Sequence, residues 1–117
     1  MDQPPYILDA IRRTAVLDAI HDRCSHAGWP LLAAHVRPTH VHLIVKSETH
    51  PNRIMTSLKS YASRKLNQLS LDAPTRKRWT RHGSTRWLWN PAELQSTIRY
   101  IIEQQGEPMA IFLNPDL

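Results

Sequence analysis

Apolar positions recur along this chain with two different spacings, one helical and one strand-like. Apolar residues recur every three or four positions in Asp9–His26, Pro51–Gln68 and Pro91–Gln105, which predicts three amphipathic helices. Leu31–Val36 is apolar on both faces, which predicts a central strand, and His40–Lys46 alternates polar and apolar residues, which predicts a neighbouring strand. The pattern favours an α+β fold, a two-layer sandwich in which helices pack on a mainly antiparallel sheet.

Residues that begin and end helices support these boundaries. Asp9 can cap the first helix and Gly28 can stop it. Pro51 is favoured in the first turn of the second helix. The run Asn90–Glu93 combines a cap, a first-turn proline and an acid at the third position, and Gly106 follows the third helix. We expect no accessory element in the short segment after Gly106.

Composition narrows the class of protein. A chain of 117 residues with 41% apolar residues is large enough for one folded domain, residues 1–117, and too small for two. Cys24 is the only cysteine, so an intramolecular disulfide is excluded. The chain has no apolar run near the length of a membrane span, and its N-terminus lacks the features of a secretory signal. We expect a cytoplasmic protein.

Positive charge is concentrated in one part of the chain. The segment Arg53–Arg86 contains nine basic residues and one acid, Asp72, whereas the rest of the chain has six basic and nine acidic residues. Segregated positive charge favours binding to a polyanion, because neutralised phosphates release counterions. The alternative is a solvated basic face. Residues 70–86 form a polar connection between the second and third helices. Thr85–Trp89 begins inside this connection, extends three residues past it and has strand-like composition.

Two histidines are spaced for the same face of the second strand. Side chains alternate along a strand, so His40 and His42 share a face with Ile44 and Lys46. Their imidazoles are then roughly 6 to 7 Å apart, a separation that lets two nitrogens converge on one metal ion. The alternative is a pair of partly buried polar side chains, which strands also contain.

The third helix offers further candidate groups. Its apolar stripe includes Ile98 and Ile101, and Tyr100 and Gln104 lie one turn apart on a neighbouring strip. If this helix packs across the histidine face, Gln104 can complete a three-ligand set and Tyr100 lies beside the metal. The alternative for Tyr100 is an ordinary amphipathic side chain at the border between helix and sheet.

These residues together resemble a known family. His40-Val41-His42 resembles the His-hydrophobic-His motif of the HUH endonucleases, and Tyr100–Gln104 resembles the tyrosine helix of the single-tyrosine HUH transposases. That group includes small insertion-sequence transposases and REP-associated tyrosine transposases. The resemblance covers about residues 8–106. The family normally begins with a strand, for which only Gln3–Ile7 is available here, so we expect the sheet to be one strand short or paired differently.

The resemblance implies a ferredoxin-like HUH fold and a specific chemistry. Tyr100 is implied as the nucleophile that forms a 5′-phosphotyrosine with single-stranded DNA, and His40, His42 and Gln104 as ligands of Mg²⁺ or Mn²⁺. The family also implies a homodimer and a DNA substrate that can contain a hairpin. The implied function is that of a metal-dependent endonuclease and strand transferase. The alternative is a domesticated or truncated relative that binds nucleic acid without cleaving it.

Contacts to DNA are predicted from charge and from aromatic character. Trp79 is preferred as the base-stacking side chain because it lies within the basic stretch. Tyr61 is a rival nucleophile, but its neighbour four positions on is Lys65 rather than a metal ligand, so packing or stacking is favoured. The candidate DNA-binding residues are Arg37, Lys46, Lys59, Arg64, Arg78, Trp79, Arg81 and Arg86.

Overall fold

A computed structural model describes residues 5–79, 91–103, 107 and 109–116 of the protein. These residues form three helices and three strands, in an α+β arrangement that confirms the predicted fold class. In chain order the elements are α1 (Ala10–Ala27), β1 (Leu31–Val36), β2 (Val41–Val45), α2 (Pro51–Gln68), α3 (Pro91–Glu103) and β3 (Ala110–Leu113). The predicted strand at Thr85–Trp89 lies outside the described residues.

The ends of α1 and α2 are fixed by the residues that the sequence marks for this purpose. The Asp9 carboxylate accepts the backbone N–H of Arg12 at 3.0 Å, which satisfies one of the unpaired donors of the first turn. Gly28 ends α1 in the left-handed region at φ 73°. Pro51 occupies the first turn of α2, and the His50 ring accepts the backbone N–H of Asn52 at 3.2 Å. The predicted boundaries of both helices are confirmed to within about a residue.

The sheet has the strand order β2-β1-β3 and is antiparallel throughout. β1 is therefore central, as its two apolar faces predict. His35 pairs with His42 across β1 and β2, so these two side chains lie on the same face of the sheet. On its other edge β1 pairs with β3, where His35 is opposite Ile111. The sequence analysis did not predict β3, which is four residues long.

The sheet separates two apolar clusters. Helices α1 and α2 pack together against the face that includes Ala34 and Val36. Helix α3 packs against the opposite face, where Ile98 and Ile101 contact Ala33 and the neighbouring Ile44 of β2. This second face also carries His35 and His42. Ala33 and Ile44 are cross-strand partners, and each lies two positions along its strand from His35 or His42, so all four side chains share one face.

Two residues of α1 and α2, Ile11 and Tyr61, are not fully buried. Ile11 is 64% exposed, because the buried stripe of α1 begins one turn later, at Ala15. Tyr61 is half-buried, and the fully buried residue at the end of the α2 stripe is Leu66. Cys24 of α1 points into the core, where burial raises the pKa of its thiol to about 11.

The segment before α1 is extended but forms no strand among Pro5–Asp9. It is held by Tyr6, whose hydroxyl donates to Asp72 at 2.6 Å. The same carboxylate receives Arg12 at 3.0 Å and Arg78 at 3.4 Å. This cluster joins the start of α1 to the chain that follows α2, and burial protects it from solvent because the Arg78 side chain is 2% exposed.

Burial alone would raise the pKa of Asp72, but its hydrogen bonds from Arg12 and Tyr6 and the nearby arginine charges outweigh burial and lower that pKa.

No described helix is long and apolar enough to cross a membrane.

Candidate nuclease site

The two histidines predicted as metal ligands lie together at the start of β2. The rings of His40 and His42 are parallel, with centroids 6.1 Å apart. Nδ1 of His40 is hydrogen-bonded to the Thr39 hydroxyl at 2.8 Å, which leaves Nε2 as its candidate ligand atom. His40 is exposed and His42 is half-buried, so the pair lies where the sheet meets solvent.

The environment of His42 favours its neutral form. Its pKa is lowered first by burial and then by electrostatic interactions with the nearby His40, His35 and Arg37. Neutral imidazole is the form that binds metal, since protonation removes the lone pair that a metal ion needs. The local electrostatics therefore keep His42 in a state able to act as a ligand.

Helix α3 lies over the face of the sheet that carries His42. Its buried residues Ile98 and Ile101 anchor it there, and Tyr100, between them in sequence, is 52% exposed. The phenol is therefore on the outer side of a helix whose inner side contacts the histidine face. The structure brings His40 and His42 together and packs the tyrosine helix on their face, while Gln104 lies outside the described residues.

His35, in the central strand β1, contacts both α3 and the residue that precedes β3. Its side chain is fully buried, at 0% exposure. One ring nitrogen, Nδ1, lies 3.0 Å from the carbonyl oxygen of Ile101 in α3, and the other, Nε2, accepts the backbone N–H of Met109 at 3.2 Å. His35 thus joins the central strand to the tyrosine helix and to the start of β3.

Arg37 contains an unsatisfied donor close to the histidines. Among the described residues its Nε is a buried side-chain nitrogen without a hydrogen-bond partner. Its charge lies near enough to His42 to lower the pKa of that residue. Buried donors are normally paired, so this nitrogen is an exception among the described side chains.

The remaining basic candidates fall into three groups. Lys46 is exposed at the far end of β2. Lys59 and Arg64 lie on α2, in the layer on the opposite side of the sheet from α3. Arg78 is enclosed by Asp72 and by Asn67, whose side-chain oxygen it contacts at 2.8 Å. The Arg78 side chain thus makes its contacts within the protein, and its role in DNA binding stays a prediction. Arg81 and Arg86 lie outside the described residues.

Trp79 and Tyr61, two aromatic residues of the basic segment Arg53–Arg86, contact other side chains of the protein. Trp79 packs against the main core and donates its indole N–H to Ser63 at 2.6 Å. This packing favours a structural role over the predicted stacking of a base. Tyr61 has the guanidinium groups of Arg23 and Arg64 each 4.8 Å from its ring centroid. These cation–π contacts account for Tyr61 without a catalytic function.

The described part of the chain contains no cluster of three or more histidine, cysteine, aspartate or glutamate residues that could hold a metal ion. The predicted set differs from such a cluster because its third ligand is the amide of Gln104. The chemistry of the two imidazoles fits a divalent ion, since their rings are adjacent and His42 is kept neutral.

Comparison with known proteins assigns the chain to a family. A family model described as "Transposase IS200 like" matches residues 6–104, which is most of the chain. The match includes both histidines, Tyr100 and Gln104. Comparisons with curated proteins and with solved structures give no match. The extent of the family match shows that this chain belongs to the IS200-like transposase family.

Proposed function

We propose that this transposase is a metal-dependent endonuclease and strand transferase that acts on single-stranded DNA through Tyr100. The observation that carries the proposal is the packing of α3 on the face of the sheet that bears His42. That packing puts an exposed phenol on a helix that lies on the same face of the sheet as His42. A nucleophile and a site for charge stabilisation on adjacent elements are what phosphodiester cleavage requires.

The reaction is a transesterification. The phenolic oxygen of Tyr100 loses its proton and attacks the scissile phosphorus, and the bond from phosphorus to the 3′ oxygen breaks. The products are a 5′-phosphotyrosine and a free 3′ hydroxyl, so the number of phosphoester bonds is unchanged. Attack by a 3′ hydroxyl on the phosphotyrosine reverses the step and joins strands, which requires no nucleotide cofactor.

His40, His42 and Gln104 would hold the Mg²⁺ or Mn²⁺ ion that the family implies. When bound, such an ion supplies positive charge that stabilises the phosphate in the transition state. Two imidazoles and a neutral amide leave the charge of a divalent ion uncompensated, and this favours an anionic phosphate as an additional ligand. The lowered pKa of His42 keeps its nitrogen available at neutral pH.

Two basic residues near the strand are proposed to bind the DNA backbone. Arg37 is half-buried and close to His42, and its guanidinium charge is proposed to attract a phosphate oxygen. Lys46 is exposed at the other end of β2. Lys59 and Arg64, on the opposite layer, are proposed to contact DNA that lies further from the scissile phosphate.

A homodimer in which Tyr100 serves the histidines of the partner subunit is part of the proposal. Tyr100 is 52% exposed on the outer side of α3, so its phenol is accessible to a second subunit. The same exposure is compatible with action on its own subunit. The two arrangements give different results when inactive variants are mixed.

Detection of the covalent intermediate tests the proposal directly. The protein is incubated with labelled single-stranded oligonucleotides and Mn²⁺, and adducts that resist denaturant are resolved on a gel. We expect an adduct that Tyr100→Phe abolishes and that the matched control Tyr61→Phe retains. Loss of the adduct in Tyr61→Phe and its retention in Tyr100→Phe would overturn the assignment of the nucleophile.

Mixing variants determines which subunit supplies the tyrosine. Tyr100→Phe and His42→Ala are each expected to be inactive alone. If the tyrosine acts on the partner's histidines, mixed dimers regain the adduct, and it forms on the His42→Ala chain, which a size tag identifies. Absence of an adduct in mixtures that contain verified heterodimers indicates action within one subunit.

A second candidate function is binding of nucleic acid without cleavage. It is favoured by the segment before α1, since Pro5–Asp9 forms no strand and β2 pairs only with β1 among the described residues. Salt-sensitive binding with no adduct for any metal or oligonucleotide would support this candidate. One reproducible cleavage product that depends on Tyr100 would exclude it.

A further inference from the structure

We propose that His35 is a positioning residue that sets the location of the tyrosine helix over the histidine strand. This inference rests on the proposed function, because it assigns to His35 a role in delivering Tyr100 to the reaction. It goes beyond that function by naming a residue that is neither nucleophile nor metal ligand. His35 acts through α3, so its effect is on geometry rather than on the reacting atoms.

The hydrogen bonds of His35 show which of its ring nitrogens carries the proton. The backbone N–H of Met109 can only donate, so Nε2 of His35 is an acceptor in the 3.2 Å contact. The proton of the neutral ring is therefore on Nδ1, which donates to the carbonyl oxygen of Ile101 at 3.0 Å. Both ring nitrogens are paired, and the side chain is at 0% exposure, so its orientation is fixed.

The accepting carbonyl lies at a sensitive place in α3. Ile101 lies two residues before Glu103, the last residue of α3 that the structure describes. Ile101 also follows Tyr100 directly in sequence. His35 therefore holds the turn of α3 that carries Tyr100, and it does so from the strand that pairs with the one bearing His42.

Apolar contacts alone do not give α3 a unique position. Ile98 and Ile101 contact Ala33 and Ile44, and such contacts are not directional, so they permit small shifts of the helix along the sheet. A hydrogen bond from a buried, immobile ring fixes both distance and direction. The bond to Met109 fixes the chain again where it enters β3, so the segment from α3 to β3 is anchored at both ends by one side chain.

Three substitutions separate the two hydrogen bonds. His35→Leu removes both. His35→Asn keeps an N–H near the position of Nδ1, and His35→Gln places an amide oxygen near the position of Nε2. The matched control is Ile98→Ala, which removes apolar contact from the same face of the same helix without touching either hydrogen bond. Unfolding by urea gives the stability of each variant.

Two measurements report on the proposal. Amide hydrogen exchange in a peptide that covers residues 94–103 reports on the anchoring of α3, whether or not the protein cleaves DNA. The rate of adduct formation at saturating oligonucleotide reports on the delivery of Tyr100. A misplacement of about 1 Å can lower a rate a hundredfold, so we expect His35→Leu to slow adduct formation roughly ten- to hundredfold with oligonucleotide affinity within about twofold.

The outcomes distinguish positioning from simple destabilisation. We expect faster exchange in α3 for His35→Leu, and a smaller rate loss in Ile98→Ala at equal loss of stability. His35→Asn is expected to retain more of the rate than His35→Gln, because it keeps the bond to the tyrosine helix. Equal rate losses in His35→Leu and Ile98→Ala, or unchanged exchange in α3, would overturn the inference.

If His35→Leu does not fold, the comparison of His35→Asn with His35→Gln decides. If the wild-type protein forms no adduct, the proposed function fails, and the exchange measurement still tests whether His35 anchors α3.

Discussion

The rings of His40 and His42 lie parallel, with their planes 7° apart and their centroids 6.1 Å apart. This relationship follows from the alternation of side chains, which returns every second residue of an extended chain to the same side. The hydrogen bond between Nδ1 of His40 and the Thr39 hydroxyl, at 2.8 Å, restrains one of the two rings. The pair is therefore preorganised for a ligand that lies between or beside the two imidazoles.

The first prediction concerns metal binding by this pair. His42→Ala is expected to lower the affinity for Mn²⁺ at least tenfold in a calorimetric titration at neutral pH, because it removes one of two imidazole ligands. The lowered pKa of His42 means that its nitrogen stays deprotonated at pH 7, and that protonation of this residue weakens metal binding below the ordinary histidine value of 6.5.

The control for metal binding is His26→Ala. His26 is an exposed histidine of α1 whose ring contacts the Asp22 carbonyl, so its removal leaves the β2 pair intact. An equal loss of Mn²⁺ affinity in both variants would show that binding is not located at the pair.

The second prediction compares two exposed basic residues on opposite sides of the sheet. Lys46 is at the end of the histidine strand, whereas Arg64 is on α2 in the other layer. For an oligonucleotide just long enough to span the site, Lys46→Ala is expected to weaken binding and to reduce the salt slope by about 0.7, the contribution of one phosphate contact on a single strand. Arg64→Ala is expected to leave binding of this short strand unchanged.

A longer oligonucleotide extends this comparison. If Arg64 contacts DNA away from the scissile phosphate, Arg64→Ala weakens binding of the longer strand only. Fluorescence anisotropy at several salt concentrations measures both effects. A stronger effect of Arg64→Ala on the short strand would mean that the substrate path crosses the α2 layer instead of the histidine face.

The third prediction concerns Asp72, which joins Tyr6, Arg12 and Arg78. Asp72→Asn is expected to destabilise the protein by roughly 3 kcal/mol, because it leaves the buried Arg78 guanidinium without its charged partner. The pKa of Asp72 is lowered in the folded state, so its stabilising effect is present above its ordinary value of 3.8 and is lost as the pH falls through the folded-state value.

Urea unfolding at neutral and acidic pH measures this linkage. The stability difference between wild type and Asp72→Asn is expected to shrink as the pH falls below 3.8. Asp18→Asn serves as a control, since Asp18 is an exposed residue of α1. A constant difference down to strongly acidic pH would contradict an ionised Asp72 as the source of the stability.

The ends of α1 and α2 were predictable because the residues that fix them lie within a few positions of each end. A cap such as Asp9, a stop such as Gly28 and a first-turn proline such as Pro51 act within a few residues, and each operates as its chemistry predicts. The same is true of the face shared by alternate residues of β2. β3 escaped prediction because four residues are too few to establish a period, and its pairing with β1 depends on contacts distant in sequence.

The roles of single side chains were harder to predict than the elements. Arg78 and Trp79 have the residue types of a DNA-binding surface, but Asp72 and Ser63 bind them from elsewhere in the fold. His35 gave no distinctive signal, because its two partners, Ile101 and Met109, lie 66 and 74 residues away. Sequence spacing identifies which residues share a face, whereas three-dimensional packing decides which of them remain accessible.

The burial of Cys24 has a practical consequence for spectroscopy. With its thiol pKa raised to about 11, roughly one molecule in ten thousand carries the reactive thiolate at pH 7. Cysteine introduced by Ser96→Cys, at an exposed position one helical turn before Tyr100, would ionise roughly three-hundredfold more readily. A fluorophore can thus be attached beside the phenol in the otherwise unaltered chain, where its emission would report the arrival of a DNA strand in real time.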